Sequence, residues 1–328
     1  MLAPLHVVCI QSRIISLLLL VVLGLPQLAA SSETALSFTI QTSPTKSTLL
    51  SIQFPTPQQG WAVGSGGTIL KTIDGGKKWK RVTSGTTALL TSVFFADSSN
   101  GWVTGAGGWF SRTMNGGESW SPQSLATQQP LYAVSFPSPS IGWVVGGGGT
   151  IFHTTDGGQH WKEQVSGTMA ALYAVQFIDE KKGTIVGALG TILSTSDGGA
   201  TWTPQGTQRA VTLFDVSFTD ATTGWAVGNA GALFQTTDGG AKWVDQTLPC
   251  GNTCTKLTDL LKVRFTSRRE GWIVGERGTL YRTTDAGITW SEGKSIAPAS
   301  LFGLSFPDAA QGWASGENGT IVHLQLSR

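Results

Sequence analysis

Charged residues are scarce in this chain. Lys, Arg, Asp and Glu make up 13% of its 328 residues, and the formal net charge is +2. Because a surface for nucleic acid or anionic membrane needs a clear excess of positive charge, this balance supports neither partner. Tyr, Met and Cys occur only three times each, whereas there are 43 Gly and 13 Trp. Low charge with abundant Gly and Trp favours a tightly turned all-β protein over a helical one.

Clustered histidines and phosphate-binding loops are also lacking. The four histidines do not cluster, and no Ser-His-Asp spacing is visible. They are His6, His153, His160 and His323. Glycine pairs such as Gly147-Gly148 lie between predicted strands, not between a strand and a helix, so they do not predict a phosphate loop. We therefore predict no cofactor and no metal.

The first thirty residues have the pattern of a secretory signal peptide. Arg13 is their only charged residue, and the apolar run Ile14 to Leu25 follows it. Pro26 ends the run, and Leu28-Ala29-Ala30 offers a small-residue cleavage site. The run is shorter than the roughly 20 residues of a membrane span. We predict a signal peptide over 1–30, a mature domain over 31–328 without a transmembrane span, and export to a periplasm, thylakoid lumen or extracellular space. A retained anchor is the alternative.

Two cysteines remain after such a cleavage, Cys250 and Cys254. In an oxidising compartment this pair is expected to form a disulfide that closes a small loop. A two-thiolate metal site is the alternative, although no histidine lies nearby to complete it.

One unit recurs seven times along the chain. It is marked by Gly-Trp dipeptides with Gly at positions 60, 101, 142, 224, 271 and 312, and Gly183-Thr184 fills the gap in the series. Successive spacings are 41, 41, 41, 41, 47 and 41 residues, and the longer spacing contains the two cysteines. The cysteines therefore lie in a loop insertion.

Each unit contains four predicted strands separated by glycine-rich turns. A first strand ends in Phe, the Gly-Trp segment is the second, and an Asp-Gly-Gly-x-x-Trp turn separates the third from the fourth. Four short antiparallel strands per unit predict an all-β, seven-bladed β-propeller. The seventh unit lacks a fourth strand, and residues 37–42 supply one at the N-terminus. We therefore predict that the N-terminal strand completes the last blade and closes the ring.

The Asp-Gly-Gly turns carry a family resemblance. They begin at Asp74, Asn115, Asp156, Asp197, Asp238 and Asp285, and resemble Asp-box (BNR) repeats. The whole unit is similar to the photosystem II assembly and stability factors of cyanobacteria and chloroplasts. The resemblance implies an exported, non-catalytic propeller that binds a protein partner, such as a subunit of a membrane complex, through an arginine-rich patch. We expect a monomer.

Two features depart from that family. Cyanobacterial members are typically lipoproteins, but Cys9 precedes the apolar run and no cysteine stands at the cleavage site. The arginines of this chain concentrate in the sixth unit: Arg264, Arg268, Arg269, Arg277 and Arg282. Strand direction divides these arginines between the two ends of the propeller, so a single patch is not expected.

Strand direction also places the candidate binding residues. Loops that join successive blades share one end of the propeller, the top face, with the turns between second and third strands. The Asp-Gly-Gly turns share the opposite end, the bottom face. We predict a partner-binding site on the top face of blades five to seven, at Arg209, Glu276 and Arg277. The predicted site also includes Asp215, Lys262 and Arg264. Near the axis, Asp215 faces Lys262 and Arg264, which indicates either a polar pocket floor or a compensated ion pair.

Most other candidate chemistry follows the repeat. Twelve tryptophans belong to the repeated positions, and only Trp109 lies outside them as a possible contact residue. Because the Asp-Gly-Gly carboxylates recur once per blade, they indicate turns. His153 and His323 share a third-strand position with Lys71, Arg112 and Arg282, which predicts a solvated stripe. Glu276 and Glu317 are the only plausible carboxylate pair for an alternative function, a polysaccharide-active or glycan-binding propeller.

Overall fold

The computed structural model describes residues 35–207, 209–248, 258–293 and 295–327. The predicted signal peptide lies outside the described residues, and so do Cys250 and Cys254. The described residues form 28 strands in seven four-stranded antiparallel sheets, with a short 3-10 turn in each sheet. Within these ranges, no helix has the length and hydropathy that a membrane crossing requires. The predicted seven-bladed propeller is confirmed.

Six blades use four consecutive strands each, in order from the axis outwards. Blade one has β2 (Leu49–Gln53), β3 (Gly60–Gly64), β4 (Thr68–Thr72) and β5 (Lys80–Val82). Blade two has β6 (Leu90–Phe95), β7 (Gly101–Gly105), β8 (Trp109–Thr113) and β9 (Ser121–Ser124). Blade three has β10 (Leu131–Ser135), β11 (Gly142–Gly146), β12 (Ile151–Thr154) and β13 (Lys162–Glu163). Blade four has β14 (Leu172–Phe177), β15 (Gly183–Gly187), β16 (Thr191–Thr195) and β17 (Thr203–Gly206). Blade five has β18 (Leu213–Phe218), β19 (Gly224–Gly228), β20 (Leu233–Thr236) and β21 (Val244–Asp245). Blade six has β22 (Leu260–Phe265), β23 (Gly271–Gly275), β24 (Leu280–Thr283) and β25 (Ser291–Glu292).

The seventh blade joins the two ends of the described chain. It contains β26 (Leu301–Ser305), β27 (Gln311–Gly316) and β28 (Ile321–Ser327), followed by the N-terminal strand β1 (Ala35–Ile40). Strand β1 pairs antiparallel with β28, and Ser37 lies opposite Gln325. The predicted closure is therefore confirmed, and β28 is not left as an unpaired edge.

Seven 3-10 turns connect the second and third strands on the top face. They span Ser65–Gly67, Ala106–Gly108, Gly147–Gly149, Ala188–Gly190, Asn229–Gly231, Glu276–Gly278 and Glu317–Gly319.

Aromatic stacking joins consecutive blades at six of the seven interfaces. Trp61 of blade one stacks on Phe95 of blade two, with ring centroids 3.7 Å apart. Phe95 also covers the glycine of its own Gly-Trp pair, where a Cβ on Gly101 would lie 2.6 Å from the ring. The indoles at this position are fully buried in six blades: Trp61, Trp102, Trp143, Trp225, Trp272 and Trp313. Their structural role explains why both residues of the Gly-Trp pair recur.

The Asp-Gly-Gly turns are held by a local hydrogen-bond network. In blade one, Asp74 Oδ1 accepts from Thr72 Oγ1 at 2.9 Å and from the Lys78 N–H at 2.9 Å. Thr72 Oγ1 accepts from the Gly76 N–H at 2.9 Å. The same pattern recurs in blades two to six, with Asn115 in place of Asp in blade two. These side chains therefore fix the turn between the third and fourth strands.

Candidate functional site

The middle residue of each 3-10 turn lies at the tip of the top face in a left-handed conformation. Blades one to three place Gly66, Gly107 and Gly148 there, whereas the other four blades place Leu189, Ala230, Arg277 and Asn318, with φ between 51° and 57°. A Cβ at Gly66 or Gly107 would meet no atom within 4 Å, so this position points into solvent. Leu189 is 76% exposed and Arg277 is also exposed. Blades four to seven thus display side chains at positions that glycine would occupy without strain.

Glu276 and Glu317 precede two of these tips and bind backbone in their own blades. Glu317 Oε2 accepts from the Ser300 N–H at 2.9 Å, and Glu276 Oε2 accepts from the Asp259 N–H at 3.4 Å. Asn229 does the same for the Thr212 N–H in blade five. The two carboxylates suggested as an alternative catalytic pair therefore each stabilise a loop of the top face.

Arg209 lies in the loop that enters blade five. Its Nη1 donates to Asp245 Oδ2 at 3.0 Å and to Thr247 Oγ1 at 2.7 Å, both at the outer edge of blade five. The Arg209 side chain is 36% exposed, so it remains accessible while it holds the loop. Arg209 and Arg277 lie on the same face.

Asp215, Lys262 and Arg264 meet between the inner strands of blades five and six. Asp215 Oδ1 is 3.0 Å from Lys262 Nζ, and Asp215 Oδ2 is 2.6 Å from Arg264 Nη1. Asp215 is 2% exposed and its Oδ2 also accepts from the Val263 N–H at 3.0 Å. Burial lowers the pKa of Lys262, and the Asp215 carboxylate opposes that shift. The cluster is an ion pair in the wall with one excess positive charge.

The same inner-strand position forms neutral inter-blade bonds elsewhere. Ser51 Oγ accepts from the Val93 N–H of blade two at 3.2 Å, just as Asp215 accepts from Val263. Asp215 therefore continues an architectural bond of the repeat and adds two charged contacts to it. The geometry shows an ion pair of the kind that the sequence suggested, except that Lys262 and Arg264 together carry one more charge than Asp215 compensates.

Two other arginines of blade six contact separate carboxylates. Arg268 is 3.5 Å from Asp220, and Arg282 Nη2 is 2.7 Å from Glu270. Since Arg264 binds Asp215, these three arginines belong to three different ion pairs, and Arg277 lies on the opposite face from Arg268. The structure does not gather them into one patch.

The prediction that these third-strand side chains form a solvated stripe was wrong, because they lie against buried indoles. His153 and His323 are half-buried and stack on Trp143 and Trp313 with ring centroids 4.6 and 4.4 Å apart. Burial lowers the pKa of both imidazoles. Equivalent cations cover other indoles, as Arg282 covers Trp272 at 4.9 Å. Each of these side chains lies opposite an indole in the strand register and therefore covers the indole ring. Strand periodicity alone does not show that contact.

Trp109 is half-buried and packs against the hydrophobic cluster shared by blades one and two. Within the described ranges, no group of three or more His, Cys, Asp or Glu side chains is arranged to hold a metal ion.

A cleft between blades four and five was not identified from the sequence. Its volume is about 380 Å³, and its lining includes Thr184, Ser194 and Phe218. The sequence signal for this cleft is the single break in the Gly-Trp series, where Thr184 stands in place of Trp.

Comparison with known proteins identifies relatives of the whole propeller. The sequence profile of the family described as "Photosynthesis system II assembly factor YCF48" matches residues 30–130, 77–166, 205–294 and 249–325. No curated protein sequence matches the chain significantly.

Solved structures share the fold at low sequence identity. "YCF48 bound to D1 peptide" is 22% identical with a TM-score of 0.73, covering 89% of this chain and 97% of that one. YCF48 from Cyanidioschyzon merolae is 23% identical with a TM-score of 0.73, covering 88% and 98%. Virginiamycin B lyase from Staphylococcus aureus is 15% identical with a TM-score of 0.76, covering 90% and 100%. Since scaffolds and enzymes share this fold, the fold does not decide the activity.

Proposed function

Because this chain belongs to the photosynthesis system II assembly factor YCF48 family, we propose that it is a non-catalytic scaffold that binds a protein partner. A subunit of a membrane complex is the partner that the family suggests. The observation that carries the binding surface is the set of side chains at the strained tips of blades five to seven, Ala230, Arg277 and Asn318. Left-handed backbone at a non-glycine residue costs about 1–3 kcal/mol and tends to occur at functional sites.

The proposed contact surface is the top face of blades five to seven. Arg277 is its most exposed charged candidate, and Arg209 and Glu276 lie in neighbouring loops of the same face. Arg209 and Glu276 also hold their own loops, so they position the surface as well as contribute charge to it. The Arg277 side chain is exposed at its tip and does not hold a loop. Arg277 is therefore the best residue for a direct test.

The N-terminal sequence supports export as part of this proposal. A signal peptide over residues 1–30 would place the propeller in a periplasm, thylakoid lumen or extracellular space, where Cys250 and Cys254 would pair. We propose a monomeric mature protein, in which β1 covers the edge of β28 and only short outer strands remain as edges.

The test is binding to a D1 peptide, the ligand of one structural relative. Arg277→Glu is expected to weaken binding, measured by fluorescence anisotropy, by about tenfold or more. Lys78→Glu is the matched control, because it makes the same charge change on the bottom face. If D1 peptide binds and the two variants behave alike, the top-face surface is wrong. If no D1 peptide binds, capture from membrane extract with the same two variants tests whether another protein uses this face.

A further inference from the structure

The interface between blades four and five lacks the indole that fills the other six interfaces. Thr184 occupies the position of the buried Trp, and Phe218 keeps only an edge contact with Trp243, at a centroid distance of 5.9 Å. A Cβ on Gly117 or Gly158 would meet the preceding blade's indole nitrogen at 2.5 or 2.8 Å. At the equivalent Gly240 the nearest atoms are 3.7 Å away. The missing ring therefore leaves open space beside Phe218.

The side chain that covers the indole elsewhere is also small in blade four. Lys71, Arg112 or His153 lies opposite the indole in blades one to three, but Ser194 lies opposite Thr184. These two losses act together, because a long side chain at position 194 would cover the space that Thr184 leaves. The result is a cleft that opens to solvent.

One wall of this cleft is a row of neutral polar side chains. Gln176, Thr184, Ser194 and Thr203 are directly opposed across the four strands of blade four, so they share one face of the sheet. Thr184 is buried, Ser194 is half-buried and Thr203 is exposed, which shows that the row leads from the interior to the surface. The hydroxyls of Thr184, Ser194 and Thr203 can each donate and accept, whereas the Gln176 amide is bonded to the Phe218 backbone across the interface.

The facing wall belongs to blade five and supplies the aromatic face. Phe218 lies at the inner end, and Thr222 and Asp238 lie nearer the surface. Lys182 and Asp238 contribute opposite charges to the lining, so the cleft has no net charge. Its volume of about 380 Å³ lies in the range of pockets that hold small ligands, about 300–1,000 Å³.

We propose that this cleft binds one ring of a neutral carbohydrate, stacked on Phe218. Sugar hydroxyls can exchange hydrogen bonds with Thr184, Ser194 and Thr203 while the apolar face of the ring covers the phenyl group. An indole from a partner protein would fit the space, but its single N–H could bond only one of the three hydroxyls in the row. The row of hydroxyls therefore favours a sugar. The site lies away from the proposed protein-binding surface.

The full-length mature protein is tested by saturation-transfer NMR against maltotriose, cellotriose, xylotriose and chitotriose, with N-acetyltryptophanamide as the aromatic competitor. We expect saturable binding of at least one trisaccharide. Thr184→Trp restores the indole and is expected to abolish that binding while raising the melting temperature. Ser194→Arg restores the covering side chain without changing the interior. It is also expected to abolish sugar binding, and it replaces Thr184→Trp as the test if that variant does not fold. Phe218→Leu is expected to weaken binding about tenfold.

The matched control is His153→Arg, which places the same arginine at the equivalent position of blade three, outside the cleft, and should bind as the wild type does. The proposal is overturned if none of the four trisaccharides binds, if binding survives both Thr184→Trp and Ser194→Arg, or if N-acetyltryptophanamide binds in their place. Arg277→Glu should leave sugar binding unchanged, so failure of the sugar site is distinct from failure of the proposed protein-binding function.

Discussion

Trp143 of blade three stacks on Phe177 of blade four with ring centroids 3.4 Å apart and ring planes 9° from parallel. His153 covers the other face of the indole. Because six such stacks join consecutive blades, each contributes to closing the ring as well as to the core of its own blade.

Replacing Trp143 with Thr would give the interface of blade three the residue found in blade four. We expect the free energy of unfolding to fall by about 3–5 kcal/mol, the usual cost of removing a buried aromatic side chain. Urea denaturation followed by intrinsic fluorescence measures the change. Thr184→Ser, which removes one methyl group from the corresponding position of blade four, should cost about 1 kcal/mol or less. Equal losses in the two variants would contradict the role assigned to the stack.

Asp215 joins blades five and six through one backbone bond and two ion pairs. Asp215→Ser keeps an acceptor for the Val263 N–H, as Ser51 does in blade one, but leaves Lys262 and Arg264 without their carboxylate. We expect a loss of about 3–5 kcal/mol, because breaking a largely buried ion pair strands the remaining charges. Thermal and chemical denaturation measure it.

A double variant separates charge from packing at this site. Adding Lys262→Ser to Asp215→Ser removes one stranded charge, so part of the lost stability should return. If the double variant is less stable than Asp215→Ser alone, the unpaired lysine is not the source of the loss.

The tips of the top face carry strain that glycine would relieve. Arg277→Gly is expected to raise the free energy of unfolding by roughly 1 kcal/mol, because φ is 55° at Arg277 and a side chain disfavours this region. The reverse change, Gly107→Arg in blade two, should lower stability by a similar amount. Differential scanning fluorimetry compares the pair. A loss of stability in Arg277→Gly would show that the side chain makes a contact stronger than the strain.

Acid should weaken the Asp-Gly-Gly turns. Hydrogen bonds from Thr201 lower the pKa of Asp197 from its usual 3.8 to about 2, and those from Thr289 do the same for Asp285. Since the folded-state pKa lies below the unfolded one, the stabilisation is present above about pH 4 and is lost as the pH falls towards about 2. The urea midpoint measured across this range should therefore fall with pH.

Asn115 supplies the matched control for that titration. Its Oδ1 accepts from Thr113 Oγ1 at 2.9 Å and its Nδ2 donates to Ser119 Oγ at 2.9 Å, so an amide can hold this turn. Asp197→Asn should fold at neutral pH and lose less stability on acidification than the wild type. An unchanged pH dependence would mean that Asp197 does not titrate over this range.

The N-terminal strand should be required for ring closure. Strand β1 pairs with β28 along six residue pairs, so a chain that starts at residue 42 would leave β28 as an open edge. We expect lower thermal stability and concentration-dependent association of this variant, measured by calorimetry and light scattering. A truncated chain that is monomeric and as stable as the mature protein would contradict this role.

The repeat made the fold predictable from the sequence. The spacing of Gly-Trp pairs fixed the number of blades, and the missing fourth strand of the last unit fixed the closure. It also assigned the aspartates of the turns and twelve of the tryptophans to architecture, because a residue that recurs once per blade serves the blade. The location of Arg209, Glu276 and Arg277 on one face followed from strand direction alone.

The candidate sites were less predictable, because they depend on contacts between blades. The sequence showed that Thr184 interrupts the Gly-Trp series, but not that Phe218, 34 residues later, would be left uncovered across the interface. It suggested Glu276 and Glu317 as a pair, whereas each binds the backbone of its own blade. The covering of Trp143 by His153 likewise depends on the pairing of two strands.

By itself, the sequence determined a seven-bladed ring, its closure and the face on which each loop lies, because these follow from repeat length and strand alternation along the chain. Only the tertiary structure decided which side chains meet between blades: the stacks on Phe, the ion pairs of Asp215 and the open cleft beside Phe218. Those contacts depend on how two sheets pack against each other. Periodicity specifies which face of a strand a residue occupies, but packing decides what that residue touches.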